Sequence, residues 1–255
     1  MESKINRYSK QLILINSFFI LAWLIVSVFP FIWTFWGSFK VKADFFSRAD
    51  WMFAVTGVNT LIETGDTSTV KAYVESWTEG EFWKATMNTI IITVSVVTIS
   101  LFLGTLGAYA LSRSTYKYTF WILIAALIFR AMPHITLVSG YLFPFFQLNV
   151  WGILPTTIIV LVAINQPFTL WLLYSFFKTV PKELDESALI DGCSYFQAFR
   201  FVIMPVMWPG VVTAGLFSMM LAYNDFTVTS LLLNQQNYTM AVSYTHLRAH
   251  ETTSH

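Results

Sequence analysis

Residues 153–205 read ILPTTIIVLVAINQPFTLWLLYSFFKTVPKELDESALIDGCSYFQAFRFVIMP. An apolar run leads into a charged, helix-forming island from Glu183 to Gly192, and Ile203-Met204-Pro205 opens the next apolar run. About 20 helical residues cross the roughly 30 Å of bilayer hydrocarbon, and both flanking runs reach that length. A polar helix–turn–helix held at a membrane surface has to dock onto something in the water phase. The stretch therefore predicts an all-α membrane protein and points to a transporter subunit driven by a separate soluble motor.

Composition leads to the same class independently. Of 255 residues, 56% are hydrophobic and only 11% charged, with 24 Phe and 10 Trp. A soluble domain carries about 25% charged residues, so this chain cannot coat a globule of its size. Apolar runs lie at Leu12–Trp36, Asn88–Leu111, Thr119–Leu142, Ile153–Phe177 and Pro205–Leu233. They must be helices, because irregular backbone cannot face lipid. Long helices of a soluble protein would show a polar face at 3.6-residue spacing, whereas Ile90–Val97 and Ile153–Ala163 are apolar nearly all round.

Orientation follows from the basic residues. Lys4, Arg7 and Lys10 precede the first span, which is too long for a cleavable signal with its 7–15-residue apolar core, so it reads as a retained anchor with a cytoplasmic N-terminus. Ser112–Tyr118 and Lys178–Met204 then fall inside, and Gly37–Ala85 and Phe143–Gly152 outside. Eight Lys/Arg lie on the inner segments and five on the outer ones, in the direction of the positive-inside rule. The organisation expected is a cytoplasmic N-terminus at 1–11, a first span at 12–36, an external loop at 37–85, a core at 86–241 and a tail at 242–255. That tail, from Val242 to Thr252, looks like a translated transposase sequencing adapter and reads as non-native; a genuine polar tail is the alternative. On the first reading the native chain stops near Ala241 and a sixth span is expected beyond the five.

Several functions have no footprint. Net charge is +1, which offers nothing to nucleic acid. Cys193 is the sole cysteine, so there is no disulfide framework. Metal-ligand spacing is absent from the native-looking part, and neither metal nor cofactor is expected. The loop 37–85 carries Trp51, Trp77 and Trp83 but no catalytic constellation.

Within the island, Pro181 suits a first helical turn, where its missing N–H costs nothing. Glu183, Asp185 and Glu186 follow, where carboxylates complement the positive end of the helix dipole. Ala188, Leu189 and Ile190 read as a small apolar face, and Ser187 with Ala188 would let a partner backbone approach. Gly192 can take the left-handed stop. Ser194–Phe201 reads as a second short helix, broken by Pro205.

Taken in order, Glu186-Ser187-Ala188, Gly192 and Ile203-Met204-Pro205 resemble the EAA loop of ABC-importer permeases. Ser187 stands where the family has Ala, and the closing element lacks the usual Leu before Pro. Phe29-Pro30-Phe31-Ile32-Trp33, Asn88-Thr89, Ala108-Tyr109-Ala110-Leu111-Ser112-Arg113, Pro167-Phe168 and Tyr223-Asn224-Asp225-Phe226 look like the carbohydrate-uptake branch, and the maltose-type second permease most of all. The resemblance implies a type I ABC-importer bundle with five of six transmembrane helices present, in a bacterial inner membrane. It implies as partners a second permease, two ATP-binding subunits and an external solute-binding protein. The loop residues Glu183, Glu186, Ser187, Ala188, Asp191, Gly192, Ile203 and Pro205 would couple the permease to its ATPase, with Glu186 as polar contact and Gly192 as turn. No Gly-Lys dipeptide occurs, so the phosphate-cradling G-x-x-x-x-G-K-[ST] loop is missing and ATP hydrolysis falls to another chain.

Polar residues inside spans are costly and face a partner or water. Arg130 and His134 lie in the third span, Asn224 and Asp225 in the last. They read either as an Arg130–Asp225 pair or as lining of the translocation path. Pro133, Gly140 and Pro144 predict a kink. The competing class is an ion-coupled secondary transporter, supported only by Arg130 and Asp225; it would show discontinuous helices in repeated halves. Trp33, Trp36, Trp151 and Trp171 suit an interfacial belt.

Overall fold

The computed structural model describes residues 2–38, 77–78, 82–234 and 236–243. The segment read as an external loop and the tail read as non-native lie mostly outside these residues. The chain divides into two units, 1–80 and 81–255. In the first, α1 (Glu2–Gly37) carries the candidate span Leu12–Phe35, none of which is buried. A helix apolar on every side and unburied needs hydrocarbon as its solvent.

The second unit is a bundle of α2 (Phe82–Arg113), α3 (Tyr118–Ala131), α4 (His134–Gln147), α5 (Leu154–Thr179), α6 (Glu183–Ile190), α7 (Tyr195–Gln197), α8 (Met204–Tyr223) and α9 (Thr227–Leu232). A π-helical turn, Ala198–Ile203, joins α7 to α8. Among the described residues of the chain, four helices are long and apolar enough to cross a membrane, or five if α3 and α4 count as one broken span. The expected count of five is reached only in that second way.

Helix α5 is the axis of the bundle. It buries 61% of its most apolar window, against 33% for α2 and 39% for the α7–α8 rod. Helices α2, α3, α8 and α9 all pack on it. One core cluster joins Ile92, Val96, Leu161, Ile164 and Leu232; a second, towards α6, joins Ala108, Leu173, Phe177, Phe199 and Ile203. Several hydroxyls inside the spans donate to their own helix four residues back, as Thr89 to Ala85 and Thr105 to Leu101 (2.8 Å each), whereas buried Thr93, Ser100, Thr157 and Ser218 have no such partner. For the bonded hydroxyls this meets the demand that polar groups be satisfied within the segment.

Close helix approach rests on small residues, as in other membrane bundles. A Cβ at Gly210 would stand 2.9 Å from Phe176 Cγ, while one at Gly140 would meet nothing within 4 Å among the described residues. Gly210→Ala should therefore destabilise the detergent-solubilised protein by about 1–3 kcal/mol, the cost of overpacking. Gly140→Ala should be neutral or mildly stabilising. Thermal melting of the two variants side by side checks both, and equal melting would refute the packing argument.

Three sequence expectations are corrected. The third span is broken rather than kinked: α3 and α4 meet at 87° across Met132-Pro133. Pro133 lacks a donor, and it biases Met132 to extended backbone (ψ 142°). Pro144, by contrast, sits inside α4 without ending it. The last span does not run through to Leu233, because α8 stops at Tyr223. Asn224 donates its side-chain N–H to Met220 O (2.9 Å), and Asp225 accepts the Val228 N–H (2.8 Å). Short polar side chains here compete with the helical ladder and start α9 instead. Pro205 does not break the chain into separate helices either. The wider π turn just before it makes room for the ring, and helix runs from Tyr195 to Tyr223.

The end of the bundle away from α6 is stitched by long-range bonds. Trp151 Nε1 donates to Leu231 O (3.0 Å), Gly152 N to Leu232 O (3.0 Å), and Asn237 Nδ2 to Gly152 O (2.7 Å). Trp151 thus pins the α4–α5 connection to α9, a more specific role than the interfacial belt.

Candidate functional site

Helix α6 starts directly after α5 and carries Glu183, Asp185 and Glu186 in its first turn. The sequence stops it sharply. Gly192 has φ +87°, its N–H donates to Leu189 O (3.1 Å), and Cys193 N donates to Ala188 O (3.0 Å). These are the paired bonds of a Schellman C-cap, which requires a left-handed residue at that position. Ser194 then begins α7 with a capping box: its Oγ accepts the Gln197 N–H and Gln197 Oε1 accepts the Ser194 N–H (2.8 Å). Two local signals, one glycine and one serine, make the hairpin.

A helix turns 100° per residue, so neighbouring positions separate onto different faces. Glu183, Glu186, Ser187, Asp191 and Gly192 are exposed, as are Ile190 (86%), Tyr195 (74%) and Phe196 (63%). Ala188 is 5% exposed and Ile203 fully buried. Ala188 and Ile190 therefore do not share one apolar face: Ala188 packs inward, and only Ser187 of the two small residues is open to a partner. Ile203 belongs to the core cluster behind the hairpin, while Pro205 is exposed. What faces outward is a mixed surface of acids and large apolar side chains.

The residue that holds the hairpin in place is Asp185, which sequence reasoning passed over as a dipole complement. Tyr109 O–H donates to its Oδ1 at 2.5 Å, and Arg113 Nε lies 2.8 Å from its Oδ2. The second contact is an ion pair by distance, with the N–H not aimed along it. Arg113 Nη1 also donates to Val180 O (3.1 Å) and Phe177 O (3.3 Å). These carbonyls lie at the C-terminal end of α5, where backbone acceptors lack helical partners. The Tyr109 ring packs against Phe199 (4.9 Å between centroids) and Phe177 (5.7 Å). The pair is sheltered, with side-chain exposures of 16% and 13%. One guanidinium thus ties α2, α5 and α6 together. The signal was a Tyr and an Arg four residues apart at the end of α2, one helical face, but their partner lies more than 70 residues away.

The intramembrane polar residues form a separate group. Arg130 and Asp225 are not paired directly; His134 stands between them. Arg130 Nη1 lies 2.6 Å from His134 Nε2, and His134 Nδ1 lies 3.8 Å from Asp225 Oδ2. A guanidinium only donates, so Nε2 accepts and the ring proton sits on Nδ1, facing the carboxylate. The trio occupies the break between α3 and α4, where freed polar groups need partners. Asn224 is exposed and bonded to its own helix. Among the described residues no cluster of His, Cys, Asp or Glu could hold a metal ion.

Comparison with known proteins places this architecture. Residues 97–250 match the family described as binding-protein-dependent transport system inner membrane component. A trehalose/maltose transport system permease protein of Thermococcus litoralis is 32% identical over 85% of this chain and 73% of its own length. A diacetylchitobiose uptake system permease protein of Streptomyces coelicolor is 28% identical over 86% of this chain and 68% of its own. In fold, the chain is similar to a bacterial ABC transporter involved in import of the acidic polysaccharide alginate. That match has a TM-score of 0.66 at 19% identity, over 91% of this chain and 77% of the other. The chain belongs to the binding-protein-dependent transport family and is a multi-pass membrane permease of an ABC importer, in which ATP is hydrolysed by separate subunits.

Proposed function

We propose that this permease moves a short oligosaccharide, delivered by an external binding protein, and that α6 is where a separate ATPase grips it. The observation that carries the reading is the two-sided hairpin. Outward it offers Glu183, Glu186, Ser187, Ile190, Asp191 and Tyr195; inward it is fastened through Asp185 to the ends of α2 and α5. Such a piece can receive a displacement on one face and pass it to the bundle through the other. The sugar class rests on relatives named for diacetylchitobiose and for trehalose and maltose.

In this reading the importer holds a second permease, two ATP-binding subunits and a solute-binding protein. The N-terminus and α6 lie on the cytoplasmic side, and residues 86–241 form the transport core. The exposed apolar faces of α2, α3 and α8, such as Phe102, Trp121 and Trp208, suit lipid and the second permease. Arg130, His134 and Asp225 line or brace the path at the broken span. The broken third span does not by itself supply the repeated pair of discontinuous helices that a secondary transporter employs.

Proteoliposomes containing the complete importer provide the test. Uptake of labelled diacetylchitobiose or maltose should require ATP on the α6 side and should stop when the ATPase subunit is made unable to hydrolyse it. Uptake by this chain alone, driven by an ion gradient without nucleotide, would overturn the proposal.

A further inference from the structure

Between α3 and α5, on the α6 side of the bundle, lies a cleft of about 450 Å³ that the transport reading does not use. Its lining falls into two zones. Lys117, in the turn before α3, and Lys178, in the last turn of α5, supply two ammonium groups, with Ser114 and Thr115 beside them. Deeper, the walls are Leu123 and Leu127 of α3 and Trp171 of α5. At 1.5 Å per helical residue, Leu127 lies roughly 15 Å below Lys117, and Trp171 about 10 Å below Lys178. Among the described residues, no acidic side chain lines the cleft. Lys178 Nζ lies 5.5 Å from the centroid of the Tyr174 ring, another residue of the cleft wall. The neighbouring cation, Arg113, is already engaged by Asp185 and two carbonyls.

We infer that this cleft binds an anionic phospholipid, with the phosphate between Lys117 and Lys178 and an acyl chain along Leu123, Leu127 and Trp171. A soluble phosphate would use the rim but has no need of an apolar wall that deep; a zwitterionic lipid would use the wall but forgo the charge match. Basic pockets between transmembrane helices on the cytoplasmic side recognise acidic headgroups in this way. The occupant is a lipid of the surrounding leaflet, distinct from the transported solute.

The experiment uses the assembled importer in nanodiscs and a phosphatidylglycerol carrying a photoactivatable group on its acyl chain. Labelling of the peptides 118–127 and 171–178 is mapped and compared with that by phosphatidylcholine bearing the same chain. Two lysines near the surface should favour the acidic lipid by up to about 30-fold. The pair Lys117→Gln and Lys178→Gln should reduce labelling to the phosphatidylcholine level, and Lys117→Arg with Lys178→Arg should restore it. Equal labelling by the two lipids, or undiminished labelling in the glutamine pair, would overturn the assignment. So would suppression by millimolar inorganic phosphate, which would make this a free-anion site. Absence of label in the importer but not in the isolated chain would show that another subunit fills the cleft, and would overturn it equally.

Discussion

Gly192→Asp should abolish uptake while leaving membrane insertion and the bundle intact. At φ +87° an L-residue with a side chain is strained by about 1–2 kcal/mol. Among the described residues nothing lies within 4 Å of the added Cβ, so no described neighbour objects sterically. The damage is to what the hairpin presents. The cap bonds from Gly192 and Cys193 to Leu189 and Ala188 depend on that backbone, and a further carboxylate joins exposed Glu183, Glu186 and Asp191. Like charges placed wrongly at an interface cost several kcal/mol, so initial uptake rates should fall by about 100-fold or more at equal membrane content. Gly192→Asn isolates the two causes, since asparagine tolerates the left-handed region better than most residues and adds no charge. It should retain much more activity than the aspartate variant. Normal uptake by Gly192→Asp would remove the hairpin from the coupling mechanism.

Asp185→Ala should uncouple the importer from behind the docking face. It leaves the sheltered Arg113 guanidinium without its carboxylate and the Tyr109 hydroxyl without its acceptor. Breaking one side of a buried pair costs about 3–5 kcal/mol, and the partial exposure here puts the expectation at the lower end. Because the loss falls on the α6 attachment, ATP hydrolysis by the assembled importer should persist while sugar uptake drops at least about tenfold, the change that 1.36 kcal/mol produces. Adding Arg113→Met removes the orphaned charge but also its bonds to Phe177 and Val180, so the double variant should lose less than the sum of the two single losses. A double-mutant cycle on the ratio of uptake to hydrolysis gives the coupling directly. Additive effects, or full uptake by Asp185→Ala, would show that the contact carries nothing.

Much of this was legible in the chain because its signals are local. Apolar runs such as Ile153–Phe177 announced the spans, and Gly192 marked the stop of α6, since a left-handed cap is a property of one residue and its neighbours. The exposed loop acids Glu183 and Glu186 stand where the acidic first turn suggested. The inward role of Asp185 was hidden for the opposite reason: all three first-turn acids complement the dipole equally, and only the fold selects the one that meets Tyr109 and Arg113. The same limit applies at Arg130, where charge complementarity suggested Asp225 directly. A break at Met132-Pro133 brings His134 back within reach, and it takes the intermediate place. At Asn224-Asp225 an apolar run concealed two short polar side chains able to end a helix. Hydropathy averages over such residues; hydrogen bonding does not.

The arrangement around Arg113 has a mechanical corollary. A load applied to α6 meets no soft joint before it reaches α2 and α5, because the same side chain grips the tether of one and the trailing carbonyls of the other. Under the proposed coupling, that end of the subunit is therefore expected to move as a block. The 87° discontinuity at Met132-Pro133, by contrast, separates two short rods, so under the proposed coupling a displacement of α6 is expected to be taken up at that break before it bends the hairpin.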